Sequence, residues 1–361
     1  MGKRETATIK DVAKLAGVSI ATVSRVLNKL EVVNPETERK VLSAVTMLHY
    51  QRNAVARSLK LKETKSIGIM VPEISNTFFT EIVEQLEKLL GPLGYALLLC
   101  SSENSVTEER RKLSLLLERN VDALLVIPVS DIGDHFASPA LEHTPLVMLD
   151  RKIEGLICDV VLTDNRKGAY DVTNALIREG RKRIGFLGGD NHVHTSVERL
   201  HGYLDAMREN HLEVERDFIL LGGMTQKAGY TLMEQALQLE NCPDAFFIVN
   251  DMVHIGATSY LISQANRERR NRMVFSTFDY LYYAPLLKFC HYAVAQPLDM
   301  IGETAAQLLV KRLEGDRQDF PSTIILEPNI HVMEENGGVM TDEKCKASRS
   351  RLTPRNNRVF S

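Results

Sequence analysis

The sequence predicts a small all-α head, residues 1–52, followed by a larger α/β body of two doubly wound lobes. Apolar residues recur at helical spacing through the head, whereas beyond residue 65 short apolar runs alternate with amphipathic helices. Charge divides the chain in the same way. The first 60 residues hold 11 Lys/Arg and 5 Asp/Glu, a net charge of +6, and the rest carries −9. This asymmetry favours a polyanionic partner for the head, although a solvated basic face would look the same.

The overall composition excludes several classes of protein. Hydrophobic residues make up 44% and charged residues 25% of the 361 residues, which is typical of globular domains. The apolar runs are far shorter than the ~20 residues of a membrane-spanning helix. The N-terminus lacks the apolar segment of a secretory signal, and five cysteines without metal-ligand spacing indicate reduced thiols. We therefore expect a cytoplasmic protein without a membrane, metal or cofactor site.

Three short helices are predicted in the head, and they share one apolar core. The second helix is expected to begin at a Ser19 cap, and Gly17 marks the break before it. Thr8 and Asp11 have the spacing of a capping box, and Asn34 precedes a proline at the first helical position. The apolar positions of the three helices are Ile9, Val12, Ala13 and Ala16; Val23, Val26 and Leu27; and Val41, Ala44, Val45 and Leu48.

The first two helices have the features of a helix-turn-helix. Ala13 and Ala16 allow the helices to approach closely, and Gly17 supplies the turn. The second helix then presents an outward face free to meet base edges in the major groove. This face contains Ile20, Ala21, Thr22, Ser24 and Arg25.

The body is predicted as repeated strand–helix units, which form parallel sheets covered on both faces. The expected strands are 66–72, 95–101, 122–129, 145–150, 183–188, 218–221, 245–250 and 273–278. The later helices are expected at 165–179, 199–209, 225–239 and 252–264. Ligands of such sheets bind beyond the carboxyl ends of the strands, where Asp150, Asn250, Asp251 and Asp279 stand.

The segment Val18–Asn28, VSIATVSRVLN, resembles the signature of the lactose-repressor (LacI) family of transcriptional regulators. The resemblance continues through residues 50–59 and in shorter ordered matches to about residue 330. It implies a hinge helix and linker at 53–65 and a periplasmic-binding-protein-like effector and dimerisation domain at 66–336. The first lobe would comprise about 66–163 and 296–320, and the second about 164–293 and 321–336. Residues 337–361 are expected to be a disordered basic tail.

The resemblance also implies the DNA contacts. Ile20 and Ala21 would meet base edges, and Arg25 would reach a guanine. Phosphate contacts are expected from Thr8, Ser19, Thr22, Ser24 and Asn28. In the hinge, Leu59 would wedge into the minor groove, with Asn53 as helix cap and Ala56 packed on its symmetry mate. Arg52 departs from the family, which often has proline there.

A small polyol is the effector that the resemblance implies for the cleft. The expected contacts are Phe78, Phe79, Asp150, Thr195, Arg199, Asn250 and Asp279. Met224, Tyr280 and His254 depart from the family pattern, which leaves the effector open. His192, His194 and Thr195, on the loop predicted before Arg199, could receive an anionic sugar acid or phosphate together with that arginine, but two exposed loop histidines are the favoured interpretation.

These features predict a homodimeric, cytoplasmic transcription regulator, a repressor of carbohydrate-utilisation genes that binds palindromic operator DNA and is controlled by a small carbohydrate or sugar-acid effector. The alternative is a regulator controlled by a partner protein. A transport-type sugar-binding protein would lack the head and carry a signal peptide. No catalytic constellation is present in the sequence, so we do not expect an enzyme.

Overall fold

The computed structural model describes residues 7–28, 33–50, 63–263, 273–280 and 290–333. The chain divides into two compact units, residues 1–64, which include the predicted head, and residues 65–361, which include the predicted body. The head contains three helices, α1 (Ile9–Ala16), α2 (Ile20–Asn28) and α3 (Pro35–Met47). The predicted hinge residues Asn53, Ala56 and Leu59 and the tail at 337–361 lie outside the described residues.

The three head helices form as the local sequence predicts. The Thr8 N–H and hydroxyl both donate to the Asp11 carboxylate, at 2.8 and 2.7 Å, at the start of α1. Gly17 ends α1 with φ +65°, a left-handed conformation that favours glycine. The Ser19 hydroxyl accepts from the Thr22 N–H and caps α2. The predicted core is confirmed, since Val12, Ala13, Ala16, Val23, Val26, Leu27, Val41 and Ala44 are buried together.

Two six-stranded sheets form the body. In the first, the strand order is β11-β5-β4-β3-β1-β2 and every pairing is parallel. Its strands are β1 (Ser66–Val71), β2 (Ala96–Ser101), β3 (Ala123–Val126), β4 (Leu146–Leu149), β5 (Asp159–Thr163) and β11 (Thr323–Leu326). The second sheet has the order β12-β10-β9-β8-β6-β7, and only β12 is antiparallel to its neighbour. Its strands are β6 (Ile184–Leu187), β7 (Ile219–Leu220), β8 (Ala245–Ile248), β9 (Val274–Phe278), β10 (Cys290–Ala295) and β12 (Asn329–Val332).

Helices cover both faces of each sheet, which confirms the doubly wound prediction. The helices of the body are α4 (Thr77–Leu90), α5 (Val106–Glu118), α6 (Asn165–Arg178), α7 (His194–Glu209), α8 (Gln226–Gln238), α9 (Asp251–Ser263) and α10 (Leu298–Leu313). Helices α4 and α10 pack on one face of the first sheet and α5 on the other. Helices α6 to α9 share a single large core with the second sheet.

Two expectations about the body are corrected. The resemblance places residues 321–336 in the second lobe, but Thr323–Leu326 pairs with Asp159–Thr163 in the first sheet, and only Asn329–Val332 joins the second. The predicted helix 199–209 begins at His194 instead, so His194 and Thr195 lie on its first turn rather than on a loop. Neither lobe is therefore continuous in sequence, and the chain crosses between the lobes at 163–165, 295–298 and 326–329.

Glycines allow the helices of the second lobe to cross at backbone contact. A Cβ placed on Gly256 of α9 would lie 1.9 Å from the Gln226 carbonyl oxygen of α8. The reverse holds for Gly229, whose Cβ would lie 2.1 Å from the Val253 carbonyl oxygen. Because the obstructing atoms belong to backbone, a side chain here would push the helices apart.

The substitution Gly256→Ala is therefore expected to destabilise the second lobe by about 1–3 kcal/mol, the usual range for overpacking. Gly91→Ala is the matched control, because a Cβ there meets nothing within 4 Å. Urea unfolding followed by circular dichroism would compare the two. Equal stability of both variants would contradict the helix-crossing argument.

Candidate functional site

The outward face of α2 is the candidate DNA-contact surface. Ile20 is 45% exposed, and Ala21 and Arg25 are exposed beside it. Thr22 and Ser24 are half-buried at its edge. The buried face of the same helix, Val23, Val26 and Leu27, fixes the orientation of these side chains on the head. The predicted base-contacting residues therefore share one accessible helix face.

The predicted phosphate contacts also have structural partners. The Thr8 hydroxyl is bonded to Asp11, and the Ser19 and Thr22 hydroxyls lie 2.9 Å apart. A hydroxyl oxygen that donates one hydrogen bond can still accept another, so it could accept from a water that bridges to a phosphate. A direct bond to a phosphate would require the hydroxyl hydrogen to leave its present acceptor. Asn28 ends α2, and its side chain lies outside the described part of the chain.

A second candidate site is the cleft between the carboxyl ends of the two sheets. It encloses a cavity of about 210 Å³, and all seven predicted effector residues line it. Asp150 follows β4 and Asp279 follows β9, and both adopt left-handed φ values of +61° and +69°. Backbone conformations of this kind are uncommon outside glycine and cluster at functional sites. Phe78 and Phe79, packed edge to face at the start of α4, form the apolar wall.

Arg199 is the most constrained charge in the cleft, and it is only 2% exposed. Its Nε donates to the Asn165 side-chain oxygen at 2.8 Å, and an Nη donates to the Val249 carbonyl oxygen, also at 2.8 Å. The same Nη lies 3.7 Å from an Asp279 carboxylate oxygen. The guanidinium stacks 3.7 Å from the centre of the Phe278 ring. Burial lowers the pKa of Arg199, and the nearby Asp279 and Asp150 carboxylates oppose this shift.

Asp150 forms a second buried pair with Arg151, a residue for which the sequence suggested no role. Their side chains approach to 3.5 Å, and an Arg151 Nη donates to the carbonyl oxygens of Pro128 and Val129. Burial raises the pKa of Asp150, while Arg151 and Arg199 act to lower it. One Asp150 oxygen is buried without a hydrogen-bond partner, as is the Thr195 hydroxyl. Both atoms therefore need a partner that a ligand or water would supply.

Asn250 lines the cavity, and its side-chain amide also makes two hydrogen bonds within the protein. Its nitrogen donates to the Met224 carbonyl oxygen at 3.1 Å, and its oxygen accepts from the Val253 N–H at 3.0 Å. The residue thus caps the start of α9 and ties down the loop that carries Met224. One amide N–H and one lone pair of the oxygen remain, so the predicted polyol contact is compatible with both structural bonds.

Behind the cleft, α9 begins with a buried carboxylate. Burial raises the pKa of Asp251 to about 7, and the Asp279 carboxylate adds to the shift. Neither Asp251 oxygen has a side-chain or backbone partner that meets hydrogen-bond geometry. One turn further, burial lowers the pKa of His254 to about 4, so this imidazole is neutral at pH 7. Asp251 and His254 are thus two buried titratable groups at the start of α9, and neither lines the cavity.

Several cavity residues were missed by sequence reasoning because single side chains in loops carry no periodic signal. They are Glu73, Asn76, Asn104, Val129, Arg151, Asp190, Val193, Gly223 and Thr225. Arg151 could have been found, since it directly follows Asp150 in a motif shared with the family. Among the described residues no group of three or more metal-ligating side chains comes together. Over the same part of the chain, no helix is long and apolar enough to cross a membrane.

Comparison with known proteins decides the family. The family described as bacterial regulatory proteins, lacI family, matches residues 8–53, and that of periplasmic binding proteins and sugar binding domain of LacI family matches residues 64–331. The chain belongs to the LacI family. It is accordingly a DNA-binding transcriptional regulator of the repressor type, as the sequence predicted.

Similar proteins share nearly the full length. The chain is 35% identical over 323 residues to the HTH-type transcriptional repressor PurR of Klebsiella pneumoniae, covering 88% of this chain and 93% of that protein. The solved CelR–cellobiose complex is 26% identical with a TM-score of 0.67, covering 92% of this chain and all of that one. The Lac repressor dimer bound to operator shares the fold, with a TM-score of 0.80 at 22% identity, covering 92% of this chain and 99% of that one.

Arg25→Ala is expected to remove discrimination at one base pair of each operator half-site, about 1–3 kcal/mol, because a bidentate guanine contact would be lost. Lys40→Ala is the control, because it removes the same charge from α3, where Lys40 pairs with Glu36 on the head surface. Fluorescence anisotropy on a selected operator and its single-base variants would measure the effect. Equal weakening of Arg25→Ala on operator and random duplex would contradict a base contact.

Asp251→Asn tests the buried carboxylate. The unfolded carboxyl titrates near 3.8 and the folded one near 7, so between these values the folded state binds more protons. The contribution of Asp251 to the free energy of unfolding therefore falls as the pH rises through this window. Since asparagine stays neutral, the variant should become more stable relative to wild type from about pH 4 to 7 and keep that gain at pH 8.

Urea unfolding of both proteins at pH 4, 6 and 8 would check this expectation. The exposed Asp217, changed to Asn, provides a control in the same lobe. A stability difference between Asp251→Asn and wild type that does not vary with pH would show that folding does not raise the pKa of Asp251.

Proposed function

We propose that this regulator binds a near-palindromic operator as a homodimer and that a neutral carbohydrate in the cleft changes its affinity for that operator. The observation that carries the proposal is the set of buried, unpartnered polar atoms facing one cavity, Asp150 Oδ1 and the Thr195 hydroxyl. A sugar hydroxyl donates to the first and either donates to or accepts from the second.

The size and walls of the cavity favour a single sugar ring. Its volume of about 210 Å³ lies below the roughly 300–1,000 Å³ of sites for drug-sized ligands. Phe78 and Phe79 provide an apolar wall for the carbon face of the ring, while carboxylates provide acceptors on the opposite side. A site with such acceptors rejects analogues that lack the matching hydroxyls. The CelR structure, a regulator in complex with cellobiose, supports a carbohydrate as the ligand class.

The charges of the cleft favour a neutral sugar over a sugar acid or phosphate. Each buried arginine already faces a carboxylate, Arg151 with Asp150 and Arg199 with Asp279. Glu73 and Asp190 add further carboxylates to the lining. Burial and the nearby Lys152 lower the pKa of His194, and His192 points at Asp131 at 3.6 Å. An anionic ligand would therefore meet excess negative charge.

On the DNA side, we assign base contacts to Ile20, Ala21 and Arg25 and phosphate contacts to Thr8, Ser19, Thr22, Ser24 and Asn28. The hinge residues Asn53, Ala56 and Leu59 would order on the operator, where the leucine opens the minor groove. An eight-residue helix is too short to be stable alone, so its formation can depend on the state of the body. The effector changes operator affinity only if it binds one conformational state of the regulator more tightly than the other.

Isothermal titration calorimetry of the full chain tests the effector class. The panel comprises neutral monosaccharides with the corresponding sugar acids and sugar phosphates, and only neutral members are expected to give heat. Asp150→Asn should lower the affinity for the sugar that binds about 10- to 100-fold, because a hydrogen bond to a buried charge is lost. Asp217→Asn, on the surface, should leave this affinity unchanged. Heat from an anionic member alone would overturn the neutral-sugar proposal, and no heat at all would favour control by a partner protein.

A further inference from the structure

Five residues beside the cleft form a ring that is linked by four hydrogen bonds and one ion pair. The Thr163 hydroxyl donates to the Gln296 side-chain oxygen at 2.5 Å, and the Gln296 nitrogen donates to Asp279 at 2.6 Å. Asp279 faces Arg199, whose Nε donates to the Asn165 oxygen. The Asn165 nitrogen closes the ring by donating to the Thr163 carbonyl oxygen at 3.0 Å. Thr163, Asn165, Arg199 and Asp279 are all buried, and Gln296 is half-buried.

The ring joins the cleft to the segments that connect the lobes. Thr163 ends β5 and Asn165 begins α6, so they flank the first crossing of the chain. Gln296 lies between β10 and α10, at the second crossing. Asp279 and Arg199, by contrast, line the cavity. The same ring thus fixes two connecting segments and two cavity side chains.

We propose that Thr163, Asn165 and Gln296 are positioning residues that set the angle between the lobes and transmit occupancy of the cleft to it. The polarity of the ring is fully determined. Because the Gln296 oxygen accepts from Thr163, its nitrogen must point at Asp279, and the reverse orientation would place two acceptors against each other.

The weakest link of the ring faces the cavity. Asp279 and Arg199 are 3.7 Å apart, longer than a hydrogen bond, whereas the other four links span 2.5 to 3.0 Å. A ligand hydroxyl that donates to Asp279 or accepts from Arg199 would act at this link. A shift of Asp279 would move Gln296 as well, because the half-buried Gln296 amide would otherwise lose its hydrogen-bond acceptor. This step rests on the proposed function, but the role of the ring in the unliganded protein does not.

The experiment measures the distance between the lobes in the full-length protein. Nitroxide labels on genetically encoded ketone side chains at Glu118 and Glu240, which are exposed on the first and second lobe, avoid the native cysteines. Pulsed electron double resonance then gives the distance distribution without any ligand. Thr163→Val, which keeps the shape and removes the donor, should broaden the distribution at least twofold. Gln296→Glu, which sets a carboxylate against Asp279, should shift its mean.

The control is Thr323→Val, an exposed threonine on β11 outside the ring. Distributions identical to wild type in both ring variants, or equal broadening in the control, would overturn the proposal. If Gln296→Glu fails to fold, the distance distribution of Thr163→Val still tests the proposal. If Thr163→Val also fails to fold, the ring serves stability alone and the proposal is overturned. If the ring variants change the distance distribution but the protein binds no sugar in calorimetry, the role of the ring is supported and the proposed effector is rejected.

Discussion

The burial of the Arg199 guanidinium is the constraint on which the cleft depends. A charge removed from water is tolerated only with well-placed partners, and here Asn165, the Val249 carbonyl oxygen and Asp279 surround it while Phe278 stacks on it. These partners come from α6, the end of β8 and the end of β9. Holding one cation therefore fixes the start of one helix and the ends of two strands. In the first lobe, Arg151 donates to the Pro128 and Val129 carbonyl oxygens and so links the segments that follow β3 and β4.

Local physics made the head and the membership of the cleft predictable. The caps at Thr8, Ser19 and Asn34 and the turn at Gly17 act within a few residues, so their sequence signals survive in the folded chain. The cleft was predictable because parallel strands place their carboxyl ends at one edge of each sheet. Asp150 follows a strand of the first sheet and Asp279 follows a strand of the second.

The remaining features depend on contacts that no local pattern encodes. Residues 323–326 return to the first sheet because Asp159–Thr163 offers an unpaired edge, and only the folded body shows that edge. The start of α7 at His194 was missed because Val193, in the capping position, provides no side-chain acceptor. The ring through Thr163 and Gln296 joins residues 133 positions apart in sequence, and side-chain bonds of that separation leave no periodic trace.

The proposed regulation requires that the cleft and the DNA-binding head are energetically linked. The most direct test is the dissociation constant of the full-length protein for its selected operator, measured by anisotropy with and without a saturating concentration of the sugar that binds in calorimetry. A change of about 5- to 150-fold in either direction is predicted, which corresponds to a coupling free energy of about 1–3 kcal/mol. An operator affinity that is the same with the cleft empty and with the cleft filled would contradict the account.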